Sequence, residues 1–186
     1  RRAGARYQAS RHGALRHAKR QRGQYHQFVC RIDAFHIERR VGFRVTQRLG
    51  FGYASDTRGT HPFVPVWNAE IVLCPQLPTT LPTLDELVGT DDLTPDNVHL
   101  HLLRLTAQAA TGAKRCDHVF TLHAELEGLK FGDTLERLLT GWREQGYEMV
   151  SLGKMRDALD PTLLPRHEMV RGEIPGRAGS LLLQGE

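Results

Sequence analysis

Val119-Phe120-Thr121-Leu122 is the stretch that most narrows what this chain can fold into. Four β-formers in a row are too short for a helix, and the run is bounded by polar residues on one side and by Gly128 beyond its end. It predicts a buried strand. The strand carries His123 out at its tip, and Glu125 and Glu127 follow on alternate positions. In α/β barrels and open α/β sheets, chemistry is built where strands give way to loops at their C-terminal ends. His123 is therefore the leading candidate for an acid–base residue.

The surrounding texture places that strand in an α/β fold. Thr46-Gln47-Arg48-Leu49 reads as the end of a helix stopped by Gly50, and Phe51 to Ser55 as a short strand that ends on Asp56. Asp56 is either a turn or cap aspartate or a group delivered to a site. Pro62, Pro65, Pro75, Pro78 and Pro82 restrict the next stretch to edge strands and ordered loops, with Glu70 to Leu73 the best strand. Thr83 opens a short helix with Glu86 as its capping-box partner, ended by Gly89. Thr94, with Pro95 behind it, caps a longer helix whose Val98, Leu102 and Leu105 share a face and which Gly112 closes. Asp133 caps a third helix with a stripe of Leu135, Leu138, Leu139 and Trp142, ended by Gly146. Tyr147 to Leu152 is a further strand, Gly153 to Leu159 a short helix, and His167 to Glu186 loop. Helices alternating with single strands imply βα units and a largely parallel sheet. The three or four strands visible are too few to close a barrel.

Charge divides the chain in two. Residues 1–40 carry eleven Lys/Arg against two acids, and residues 41–186 carry fourteen against nineteen. The basic head reads as a disordered tail, a nucleic-acid-binding arm, or sequence that is not native. His12, His17, His26 and His36 lie there without acids or thiols at ligand spacing, so they define no metal set. Cys30, Cys74 and Cys116 are too few and too scattered for a disulfide framework or a thiolate zinc site, which predicts reduced thiols and a cytosolic setting. No apolar run approaches a membrane span, so any role at a membrane is at its surface.

Four separated motifs carry a resemblance. Tyr53-Ala54-Ser55-Asp56-Thr57-Arg58-Gly59, Gln76-Leu77-Pro78-Thr79-Thr80-Leu81-Pro82-Thr83, Thr121-Leu122-His123-Ala124-Glu125-Leu126-Glu127-Gly128 and Val170-Arg171-Gly172-Glu173-Ile174-Pro175-Gly176-Arg177 together resemble the C-terminal half of the polysaccharide deacetylase (NodB-like) family. Within that family they are nearest to the deformylases of formamido-arabinose carried on undecaprenyl phosphate, in lipid A modification. The resemblance runs from about Arg44 to Gln184. It implies a distorted (β/α) barrel, here incomplete and preceded by a basic irregular segment. It also implies amide hydrolysis assisted by a divalent metal, held in the family by one aspartate and two histidines, which polarises the carbonyl and steadies the developing oxyanion. His123, after Leu122, takes the place of the histidine that protonates the departing amine, a role that suits an imidazole. Asp56 takes the place of an aspartate that holds an arginine orienting the catalytic base. Arg58, Leu122 and Glu125 are the substrate-binding candidates. Arg58 reads equally as a phosphate grip or a surface ion pair, and Glu125 and Glu127 as groups tuning His123 or as solvated loop acids. The implied partner is a lipid-linked sugar at the cytoplasmic face of the inner membrane, with no nucleic acid.

The family's paired aspartates and metal histidines lie upstream of these motifs, and no match to them is found. Arg31-Ile32-Asp33-Ala34-Phe35 has one aspartate where two are needed and leaves no room for an intervening barrel. Residues 1–40 are therefore expected to come from a shifted reading frame or misplaced start, and the chain as given is expected to bind no metal tightly and not to catalyse. Two rivals stand beside this reading, a deacetylase of another N-acylated sugar and a basic-armed nucleic-acid-binding protein.

Overall fold

In the computed structural model, residues 26–32, 42–110 and 116–186 are described. Seven strands and five α-helices follow in order: β1 His26–Ile32, α1 Gly42–Arg48, β2 Val64–Trp67, β3 Glu70–Ile71, α2 Leu84–Leu87, α3 Val98–Ala110, β4 His118–Leu122, α4 Gly132–Glu144, β5 Tyr147–Met149, α5 Leu152–Asp157, β6 Arg166–Gly172 and β7 Leu181–Gln184. A single π-helical turn, Leu126–Lys130, stands between β4 and α4.

The strands form two sheets. One is all parallel in the order β4-β1-β5, with Ile32 opposite Leu122 and His26 opposite Tyr147. The other is mixed, in the order β3-β2-β6-β7. Short backbone bridges join them. The Thr80 N–H donates to the Val119 carbonyl at 3.0 Å, Arg58 pairs with Thr79 on one side, and Arg58 pairs with Leu183 of β7 on the other. Among the described residues the result is an open α/β arrangement whose strands are not closed into a barrel.

The main core lies where α3 and α4 cover β4. All five residues of β4 are buried, as expected for a strand with cover on both faces. Phe120 meets Trp142 edge to face at 5.4 Å, and both are fully buried. Val98, Leu102, Leu138 and Leu122 complete the cluster, so the helical stripes anticipated from spacing point inward and Trp142 is a core anchor. A smaller cluster of Phe63, Val72, Cys74 and Met169 packs on the mixed sheet.

Several expectations need correction. Residues 26–32, inside the segment read as irregular, form β1 between β4 and β5. The strand is specified by parallel pairing along both of its edges, a long-range property that a local apolar period does not report. Pro65 lies in β2, an inner strand, where prolines were expected to permit only edges. Its carbonyl still accepts from the Val72 N–H at 2.9 Å, and the neighbouring β3 is only two residues long, so one lost donor costs little. His167 to Glu186 is a β-hairpin, β6 with β7, and the glycines that suggested loop mark its turn, with Gly176 and Gly179 at φ +78° and +83°. Phe51 to Ser55 contributes only one bridge, Ala54 with Gln76. The third helix begins two residues early, at Gly132, with Phe131 in place of Asp133 as its N-cap residue and Asp133 in its first turn. Gly50, Gly89 and Gly146 all take positive φ where the helices were expected to stop. Gly112, His12, His17 and Asp33 lie outside the described residues.

Candidate active site

β4 ends at Leu122, and the next residue, His123, is held by its backbone. Its N–H donates to Glu127 Oε2 at 2.7 Å, and its carbonyl accepts from the N–H groups of Leu126 and Glu127, each at 3.0 Å. The π-helical turn thus folds Glu127 back beneath the strand tip. Glu127 is nearly fully buried, and that burial pushes its carboxyl pKa above the usual carboxylate range. The hydrogen bond from His123 N–H opposes the rise without cancelling it.

The His123 ring leaves 15% of its side chain exposed. Its Nδ1 stands 3.4 Å from Asp85 Oδ1, an ion-pair separation without hydrogen-bond geometry. Asp85 lies in the first turn of α2, after Thr83, whose N–H donates to Glu86 Oε2 at 3.0 Å as the capping-box spacing predicts. The other oxygen of Glu86 faces two guanidiniums. Arg58 Nη2 donates to it, and Arg177 Nη1 stands 3.3 Å away. Arg58 Nη1 donates to the Leu81 carbonyl at 2.6 Å. Burial lowers the Arg58 pKa, Glu86 opposes that, and Arg177 adds to it.

This geometry assigns the sequence candidates their places. His123 sits at the strand tip as expected. Arg58 borders a cleft of ≈ 390 Å³ lined also by Thr80, Leu81, Glu86 and Pro175. Its terminal nitrogens are committed to α2 and the chain before it, and its ion pair is internal rather than on the surface. Leu122 is packed in the main core beside Leu81 and Leu84. Glu125 is exposed at the start of the π-helical turn, whereas Glu127, its alternate, touches His123. Asp56 is exposed, its N–H donates to Gln76 Oε1 at 3.4 Å, and its charge acts on the Cys74 thiol. The carboxylate beside the His123 ring is Asp85. Arg44 pairs with Glu70 at 2.6 Å, both largely exposed.

Sequence reasoning gave no site role to Asp85, Glu86 or Arg177. Glu86 was visible only as a helix-cap residue, and Arg177 only within a motif. Two acids in the first turn of a short helix were the available signal. The metal that the resemblance implies needs one aspartate and two histidines. Among the described residues, no three His, Cys, Asp or Glu side chains converge. The donors at hand do not fit that ion, and no step below runs through it.

The described framework is α/β, and it sets a histidine at a strand tip beside a carboxylate on an earlier helix, an arrangement that suits proton transfer. No family model matches the chain. Particular relatives are found among curated proteins. The chain is 36% identical over 135 residues to a probable 4-deoxy-4-formamido-L-arabinose-phosphoundecaprenol deformylase, ArnD, of Shewanella sediminis (strain HAW-EB3), covering 73% of this chain and 41% of that protein. It is 27% identical over 138 residues to the ArnD of the same description in Wigglesworthia glossinidia brevipalpis, covering 73% of this chain and 45% of that protein. The chain is thus related to ArnD deformylases through its C-terminal portion, and it spans less than half the length of these relatives.

Proposed function

We propose that this chain carries the proton-donating side of a carbohydrate amide hydrolase that removes the formyl group from formamido-arabinose linked to undecaprenyl phosphate, in lipid A modification. The observation that carries the reading is His123 at the tip of β4, its backbone locked by Glu127 and its Nδ1 facing Asp85. The similarity to the two deformylases supports the substrate class. In the reaction, water adds across the amide and the C–N bond breaks, leaving formate and the sugar amine. His123, oriented from the Nδ1 side by Asp85, gives its Nε2 proton to the departing nitrogen so that the amine leaves neutral. Arg58, Glu86 and Arg177 act through α2, holding Asp85 in place. The fold is read as the C-terminal part of a distorted barrel of the polysaccharide deacetylase type, working peripherally at the cytoplasmic face of the membrane. Among the described residues, no helix is long and apolar enough to cross one.

The test is a chimera in which residues 44–184 replace the corresponding part of the Shewanella protein, assayed by formate release from the lipid-linked sugar. His123→Ala is expected to lower kcat by about 10²–10⁴, the usual contribution of a positioned proton donor. Asp85→Asn is expected to lower it less, with partial recovery in Asp85→Glu. An active chimera that keeps its rate with His123→Ala overturns the proposal.

A further inference from the structure

Away from His123, two other imidazoles face each other. His61 follows the Arg58 segment and His167 lies in β6, and their Nε2 atoms are 3.1 Å apart. Their hydrogen-bond partners select one tautomer of each neutral ring. His167 Nδ1 is 2.8 Å from the Gly185 carbonyl, an acceptor only, so Nδ1 bears the hydrogen and the neutral ring presents a lone pair at Nε2. Gln184 Oε1 accepts from the Thr60 N–H at 2.7 Å, which sets the amide so that its NH₂ points to His61 Nε2 at 3.1 Å. His61 Nε2 is therefore also an acceptor, and His61 Nδ1–H faces Thr60 Oγ1 at 2.8 Å. The His167 lone pair thus faces a His61 Nε2 that accepts from Gln184, and neither neutral ring places a hydrogen between the two nitrogens.

We propose that His61 and His167 form a two-imidazole site for a divalent transition-metal ion of the zinc class, with solvent completing the coordination. With N–Zn bonds of about 2.0–2.1 Å, nitrogens this far apart subtend roughly 100° at the ion, near the tetrahedral angle. The outer contacts are those of metal-binding histidines, which pass their second N–H to a carbonyl or other oxygen. His167 does so to Gly185 and His61 to Thr60. Burial and the neighbouring His167 both lower the His61 pKa, which favours the neutral, ligating ring. The bound ion joins the segment after Arg58 to the β6–β7 hairpin, and the Gln184 NH₂ gives up its place on His61.

The experiment uses the full chain without an affinity tag and zinc chloride alone. Equilibrium dialysis with metal analysis is expected to show that His61→Asn and His167→Gln each lose the same single equivalent of zinc. The double variant loses no more than either one. Zinc is also expected to raise the unfolding midpoint of the unaltered chain, since the folded form alone holds the pair together. A measurement needing no variant is acylation by diethyl pyrocarbonate, mapped by mass spectrometry, in which zinc protects His61 and His167 together while His101 continues to react. Unchanged zinc stoichiometry in both variants, or unchanged acylation of the two rings with zinc present, overturns the proposal.

Discussion

Glu86 answers three donors with one buried carboxylate: the Thr83 backbone N–H and the guanidiniums of Arg58 and Arg177. Removing its charge leaves two cations facing each other in a site where both are about 15% exposed or less. Glu86→Gln is therefore expected to cost about 3 kcal/mol in urea unfolding, the lower end for breaking a buried ion pair. Glu127 works in the opposite sense. Because its folded pKa is raised, it favours the folded state most at low pH. That contribution fades as pH rises from the ordinary glutamate value of 4.5 through the folded value. Glu127→Gln keeps an oxygen for the His123 N–H and carries no charge. It is expected to flatten the loss of stability over that rise and to leave the protein at least as stable at pH 7, as urea unfolding from pH 4 to pH 8 will show. Of these residues His123 was the leading site candidate from sequence, because a strand tip is a local property, with Arg58 and Glu127 as readings left open beside it. The pairing of Asp85 with His123 joins residues that are far apart in sequence, and nothing local announces it.

At the scale of elements, local chemistry was read well where it was strong. The stripe of α4 and the glycine stops needed only periodicity and positive φ. The hairpins were missed because short strands are specified by their partners. The β2–β3 turn, Asn68-Ala69, takes φ +51° and +60°, the paired left-handed conformation of a two-residue hairpin. Alanine is a poor choice there, and Ala69→Gly is expected to stabilise the protein by about 1 kcal/mol, read as a higher urea midpoint with unchanged slope. Gly176 in the β6–β7 turn is the converse. A Cβ there would run into the Glu86 carbonyl, at a φ that already disfavours side chains. Gly176→Ala is expected to destabilise by about 1–3 kcal/mol and to draw Arg177 away from Glu86.

For the whole molecule, the alternation of helix and strand was legible in advance, but neither the count of strands nor the mixed second sheet was. Those depend on pairings between residues as distant as Arg58 and Leu183. Stability should be as uneven as burial. β4 is covered throughout, whereas the described side chains of α1 are mostly exposed. Native-state hydrogen exchange is expected to leave the Val119 to Leu122 amides among the slowest, and those of Thr46 to Arg48 among the fastest. The bridges on either side of Arg58 carry a design consequence. Arg58 and the Thr79-Thr80 pair beside it hand alignment from one sheet to the other, so the two sheets are not separable modules. Circular permutants opened within Leu159 to Leu163, an exposed turn, should fold, while those opened between Ala54 and Thr60 should not.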